Sequence, residues 1–425
     1  MSIQHDVDRL IDERPGKELL VPVYDDPAFP IDGFIYRSGG TSASYMIVTS
    51  AGRVIVNTGM GWEAPHHRHV FNAICAGPTP YLITTQGHVD HVGGVALLRE
   101  PGTRYVAQAM NPVCQADDAR IARFRMATAQ LWFGGLGDRI REFARKYPGA
   151  AKGQDRPVPD ITFEHRIALR AGELEIELIA APGGETVDSC VVWLPQHRIA
   201  LVSNLFGPLF PHFPNFNTLR GDRYRFALPY LANARAVREL RPRLLITGRH
   251  LPIAGEELID ASLARLHDAV EFVHGETLAR INAGQDVHAI MREVQLPANL
   301  RVGHGYGKVS WAVRTIWESY TGWFQRRATS ELYGDAPDGA LVELAELAGA
   351  KVVLDRARHL LADGAPVRAI QLAEAVVAAE PAHRDAAQLL VDAHEALLAA
   401  GGDVNFWESG WLQHQIDRWR AVAES

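Results

Sequence analysis

The apolar run Tyr81-Leu82-Ile83-Thr84-Thr85 leads directly into Gln86-Gly87-His88-Val89-Asp90-His91, and Val92-Gly93-Gly94 follows. A short apolar run that ends in a polar turn reads as a buried strand whose end opens onto a site. The surrounding chain must therefore build layers that leave this turn accessible. Three metal-competent side chains, His88, Asp90 and His91, lie within four residues. Imidazole nitrogen and carboxylate oxygen are donors that Zn²⁺ and similar ions prefer, and a turn after a strand converges such groups on one point. The bland alternative is a His-rich polar loop, which this cluster followed by Gly-Gly argues against.

Up to about residue 255 the pattern is one of strands and loops. Ser44 to Val48 and Arg53 to Asn57 flank Ser50-Ala51-Gly52, a hairpin signal. Short apolar runs follow at Leu174 to Ala181, Cys190 to Leu194, Ile199 to Val202 and Leu244 to Thr247, each ending in a polar loop. This predicts an α/β layered domain over residues 1–255. Beyond it the period becomes helical: Ile259, Leu263, Leu266, Val270 and Val273 recur every three or four residues. From Leu341 to Ala400 three amphipathic segments are broken at Gly364-Ala365-Pro366 and at Pro381, which suggests tetratricopeptide-like hairpins.

Charge and cysteine content narrow the partners. A net charge of −7 without like-charge blocks argues against a nucleic-acid surface or a polybasic membrane anchor. Cys75, Cys114 and Cys190 are far apart, so neither a disulfide framework nor a thiolate zinc site is indicated. No apolar run approaches the ~18 residues of a membrane span, and Met1 to Gly16 has no apolar leader. The expectation is a cytoplasmic protein acting on a small molecule.

Four segments in order carry a family resemblance: Gln86 to His91, Ala181-Pro182-Gly183-Gly184-Glu185, Asn217-Thr218-Leu219-Arg220-Gly221 and Gly248-Arg249-His250-Leu251-Pro252. Together they resemble the metallo-β-lactamase-fold hydrolases, and the alkyl sulfatase branch in particular. Tyr320-Thr321-Gly322-Trp323 and the helices around it are similar to that branch's dimerisation region. No segment resembles the sterol-carrier-like domain that often ends these enzymes. The resemblance implies an αββα sandwich followed by an all-α region. Residues 256–335 would be a helical dimerisation region, residues 336–425 a helical-repeat tail, and the assembly a homodimer.

The resemblance also implies two metal ions. His88 and Glu185 would serve the first, and Asp90, His91 and His250 the second; Asn215, Thr218 and Arg220 would bind sulfate. Arg suits that task because its planar fork pairs with two oxygens of an oxyanion. Two positions depart from the pattern. Gln86 stands where a His ligand is expected, and Asn204 where a bridging carboxylate is expected. A neutral amide oxygen matches Zn²⁺ less well than imidazole or carboxylate. One firmly bound ion is therefore expected, Zn²⁺ with iron or manganese as alternatives, and a second weak or absent. With the first position empty, Glu185 would be free to accept a proton.

The function implied is hydrolysis of an ester, with a sulfate ester of an apolar alcohol as the leading substrate. Asp90, Glu185 and Arg220 are its candidate catalytic groups. The alternatives are a lyase, isomerase or redox step on the same scaffold, or a non-catalytic relative. Phe206 to Phe216 holds four Phe, so Phe206 and Phe210 are candidates to line a pocket for an apolar tail, with core packing as the equal alternative. His66-His67-Arg68-His69 reads as a solvated helix face, and Trp311, Trp317 and Trp323 as helical packing residues.

Overall fold

The computed structural model describes residues 2–148, 153–336 and 338–425; Met1, the head of the N-terminal segment read above, lies outside them. The chain divides into two compact units, Met1–Ser319 and Tyr320–Ser425. The boundary expected at 255/256 falls inside the first of these.

Among the described residues, the strands form two sheets. The first runs in sequence order through β1 (Phe29–Asp32), β2 (Ile35–Ser38), β3 (Ser44–Thr49), β4 (Gly52–Val56), β5 (Tyr81–Ile83), β6 (Arg104–Gln108) and β7 (Ile161–Phe163). It is antiparallel from β1 to β4 and parallel from β4 to β7. The second comprises β8 (Arg166–Ala171), β9 (Leu174–Ala180), β10 (Cys190–Leu194), β11 (Ile199–Ser203), β12 (Leu244–Thr247) and β13 (Ile253–Ala254), in the order 13-12-11-10-9-8. Only β11 and β12 pair in parallel there.

Period-two alternation assigns each strand face to a layer. Tyr45, Ile47, Val54 and Val56 meet Leu178, Val192, Leu194, Ile199 and Leu201 in a core between the sheets. Met46 and Ile55, from the opposite face of the first sheet, pack under Val70, Phe71, Val95 and Leu98. Val191, Trp193, Ala200 and Val202, from the outer face of the second, pack against Tyr230, Ala234, Ile259, Leu263, Leu266, Val270 and Val273. Two sheets packed face to face with helices outside both make the αββα sandwich.

The first unit's helices begin with α1 (Ile3–Asp12), α2 (Ala64–Asn72), α3 (Val89–Val92) and α4 (Val95–Leu98). Next come α5 (Asn111–Arg120), α6 (Ala122–Trp132), α7 (Leu136–Lys146), α8 (Ala227–Glu239), α9 (Glu256–Asn282), α10 (Val287–Glu293) and α11 (Val309–Thr321), whose last two residues belong to the second unit. The five apolar positions read on α9 are all fully buried, in the same core as the second sheet. That helix is thus an outer layer of the sandwich.

The histidine run on α2 corrects one expectation. His66 and His67 are buried instead of solvated, while Arg68 and His69 remain exposed. Polar partners inside make this tolerable: the His66 ring bonds the Tyr147 hydroxyl (2.7 Å) and the Asp25 carbonyl (3.0 Å), and His67 Nδ1 meets Ser38 Oγ at 2.7 Å. Burial, helped by His66, pushes His67 down to about 3, so it is neutral.

In the second unit, α12 (Gly339–Ala348), α13 (Ala350–Ala362), α14 (Pro366–Ala379), α15 (Arg384–Ala400) and α16 (Phe406–Ala423) share a core around Leu354, Ile370, Leu390, Ile416 and Trp419. The break between α12 and α13 falls at Gly349, whose φ of 81° favours glycine. No described helix is long and apolar enough to cross a membrane, and the three cysteines are free.

Candidate active site

β5 delivers the His/Asp loop, and buried side chains beneath fix its path. Asn57 Oδ1 accepts from the Thr85 amide (2.9 Å) and Thr85 hydroxyl (3.1 Å), and Asn57 Nδ2 donates to Ser203 Oγ (3.3 Å). Thr58 Oγ1 donates to the His91 carbonyl and accepts from the Gly94 amide. Gly248 is required by closeness: a Cβ there would lie 1.9 Å from Asn204 Oδ1.

Asp90, His91 and Asn204 come together. Asp90 Oδ2 accepts from Ser42 Oγ at 2.5 Å and lies 3.8 Å from His91 Nε2; the same nitrogen is 3.3 Å from Asn204 Nδ2. Burial alone would raise the Asp90 carboxyl, but the neighbouring His91 and His88 and the Ser42 hydroxyl hold it well below the usual range. Burial, outweighing Asp90, lowers His91 to about 4; burial with Arg14 and Arg37 nearby lowers His250 to about 4. Both imidazoles are therefore neutral at pH 7, the ligating form. Buried His91 Nδ1, His250 Nδ1 and Asn204 Oδ1 have no hydrogen-bond partner. The donor set of Asp90, His91 and His250 fits a divalent ion in chemistry, although the three ligand atoms are not all within 4.8 Å of one another.

The other half of the expected ligand set does not fit a metal. Glu185 Oε2 pairs with Arg225 Nη1 at 2.8 Å, which sets a fixed cation against this carboxylate. Burial nevertheless outweighs Arg225 and raises the Glu185 carboxyl. Both nitrogens of His88 are occupied: Nδ1 by Gln86 Nε2 (2.9 Å) and Nε2 by Asp222 Oδ2 (2.9 Å). Asp222 also lies 3.3 Å from Arg220 and 3.5 Å from Arg125. Burial would raise Asp222, but His88 and then Arg220 bring it far down.

Asn215 and Thr218 are buried, and their side-chain polar atoms lack partners. Arg220 forms part of the wall of a cavity of about 470 Å³. Gly87, Val89 and Arg125 also line it, and α6 and α7 contribute Ala122, Ala129, Trp132, Leu136 and Ile140. Phe206 and Phe210 do not serve there. They are 1% and 0% exposed, packed with Tyr230 in the core behind the second sheet, because the loop turns its rings inward.

Asp222, Arg225 and Arg125 were not singled out from the sequence. The available signal was the charge-dense run Asp222-Arg223-Tyr224-Arg225, one residue beyond Arg220. Among the described residues, one group of three or more His, Cys, Asp or Glu has ligand atoms within 4.8 Å, namely His267, Asp268 and Glu271 on α9. Its two acids are exposed.

Comparison with known proteins agrees with this architecture. The profile of the Metallo-beta-lactamase superfamily matches residues 37–250, and that of Alkyl sulfatase dimerisation matches residues 286–411. A linear primary-alkylsulfatase of Pseudomonas sp. is 25% identical over 299 residues, covering 66% of this chain and 56% of that protein. The Alkyl/aryl-sulfatase BDS1 of Saccharomyces cerevisiae is 24% identical over 356 residues, 79% of this chain and 54% of its own. The chain thus spans little more than half the length of these relatives. The solved stereoselective inverting sec-alkylsulfatase Pisa1 from Pseudomonas sp. shares the fold at a TM-score of 0.78 and 20% identity, covering 92% of this chain and 65% of that one. With its sandwich, its strand-end His/Asp loop and its helical region accounted for, the chain belongs to the metallo-beta-lactamase superfamily, in the alkyl sulfatase-like branch.

Proposed function

We propose that this chain hydrolyses a sulfate ester of an apolar alcohol. The observation that carries the reading is Arg220, a guanidinium in the wall of a cavity that α6 and α7 line with apolar side chains and that Arg125, Arg156, Asp118 and Asp155 also border. A pocket of this kind suits a molecule with one anionic end and one apolar end. Arg220 would pair with the anionic head through two N–H groups, and Asn215 and Thr218 would supply further donors from positions where their polar atoms are now unspent. The walls from α6 and α7 would exclude water from the tail.

In this reading Asp90, His91 and His250 hold one divalent ion, with Zn²⁺ preferred by two imidazoles and a carboxylate. When bound, the ion would supply Lewis acidity and acidify a water. Ser42 orients Asp90 through its 2.5 Å hydrogen bond. Water adds across the ester, and an alcohol and sulfate leave. A second reading, a different reaction on the same scaffold, is favoured by the pairing of Glu185 with Arg225. The exposed Leu344, Leu347 and Val352, within the segment matched by the dimerisation profile, support a homodimer.

The cavity reading has a direct test in Ala129→Phe, which fills the tail pocket. Each methylene kept from burial costs about 0.8 kcal/mol, or roughly fourfold in affinity. Sulfate release from a medium-chain alkyl sulfate is expected to show KM raised by roughly tenfold, with a short-chain ester unaffected. Equal effects on both esters would place the tail elsewhere.

A further inference from the structure

The Glu185 half of the site holds a cation of its own. Arg225 Nη1 pairs with Glu185 Oε2 at 2.8 Å and donates to the Asn215 carbonyl at 3.2 Å. Its side chain is 5% exposed, yet Nε and Nη2 have no hydrogen-bond partner. Nη2 has only a long approach to Asp222 Oδ2, at 3.7 Å. Buried N–H groups of a charged side chain are costly to leave unmade, so two unspent donors on one guanidinium mark a place where an acceptor belongs. Asn215, whose carbonyl Arg225 already holds, contributes an amide that is buried and unspent as well.

Charge balance points the same way. With Gln86 and Asn204 neutral, Glu185 is the single carboxylate of the expected first-metal ligand set. One guanidinium at 2.8 Å matches that single charge. A divalent ion would meet one carboxylate, two weak amide donors and a fixed positive neighbour, and His88 is turned to Gln86 and Asp222 instead.

We propose that the Arg225 guanidinium takes the place of the first metal ion, neutralising Glu185 through Nη1 and giving its Nε and Nη2 hydrogens to oxygens of the substrate's anionic head. The proposal rests on the reading of the ligand as an oxyanion. It adds that one half of the site is metal-free by design and that its cation is covalently part of the chain. Because Arg225 cannot be lost to a chelator, anion binding in this half becomes independent of metal supply.

The test pairs zinc counting with calorimetric titration of inorganic sulfate, on wild type, Glu185→Gln, Arg225→Gln, Arg225→Lys and the Glu185→Gln/Arg225→Gln double variant. Zinc equivalents retained after dialysis should be the same in wild type and Glu185→Gln. Sulfate affinity should fall by more than about tenfold in Arg225→Gln, with Arg225→Lys in between. The double variant removes both buried charges together, so it keeps a folded reference: its thermal melt should exceed that of Arg225→Gln while sulfate affinity stays low. Loss of one zinc equivalent in Glu185→Gln would overturn the proposal. So would wild-type sulfate affinity in Arg225→Gln, or the absence of sulfate binding by wild type. The proposed hydrolysis fails separately, if sulfate and zinc bind as stated but no ester is cleaved.

Discussion

Replacing Asp90 with asparagine is expected to empty the Asp90–His91–His250 half of the site and to lower kcat/KM by more than about 100-fold. Loss of an outer partner of a metal ligand already costs ~10–100-fold, and Asp90 is the only carboxylate of this proposed set. The substitution is nearly isosteric, and the Ser42 hydroxyl can still donate to the amide oxygen, so the fold should hold. What changes is charge and donor strength: a carboxylate held well below its usual range becomes a neutral amide. Metal analysis alongside kinetics checks this. Undiminished zinc in Asp90→Asn would remove Asp90 from the ligand set.

Arg220→Ala is the second large effect. Arg220 is 18% exposed on its side chain and pairs with Asp222 at 3.3 Å, so the substitution removes the proposed anion-binding fork and a neighbour of a partly buried acid. Truncating one partner of a buried charge pair costs about 2–5 kcal/mol, roughly 30- to several-thousand-fold in kcat/KM if the substrate head is that partner. Arg220→Lys should restore only part, since a point charge cannot pair with two oxygens at once. Neutral esters with the same tail discriminate the cause. If their binding falls as far as that of the sulfate ester, Arg220 supports the cavity wall and not the head group.

Much of the sandwich was legible in the sequence. The runs at Leu174, Cys190, Ile199 and Leu244 are strands β9 to β12, and the Ser50-Ala51-Gly52 hairpin joins β3 to β4. Two-residue alternation and glycine at φ 111° leave few other folds for such segments. The limits are equally physical. Periodicity shows that α9 is amphipathic but not which surface its apolar stripe covers, so its place in the first unit could not be read. Aromatic density in the Phe206–Phe216 loop is the same for a pocket wall and a core plug, and the structure makes it core.

The sequence singled out Asp90, His91, Arg220 and Glu185 but not their pairings: the structure sets Asp90 beside His91, Glu185 on Arg225 and Arg220 on Asp222. The commitment of Glu185 to Arg225 and of His88 to Asp222 joins residues 40 and 134 positions apart. No local pattern encodes such contacts. The deviations at Gln86 and Asn204 are local and were readable; the Glu185–Arg225 pair proposed above to go with them was not.

The most direct test of the account is sulfate released from a medium-chain alkyl sulfate by wild-type protein titrated with zinc. The account predicts sulfate and alcohol in equal amounts, with turnover rising to about one zinc per chain and flat beyond it. A zinc-loaded protein that releases no sulfate at any chain length, or turnover that demands a second equivalent, would contradict it.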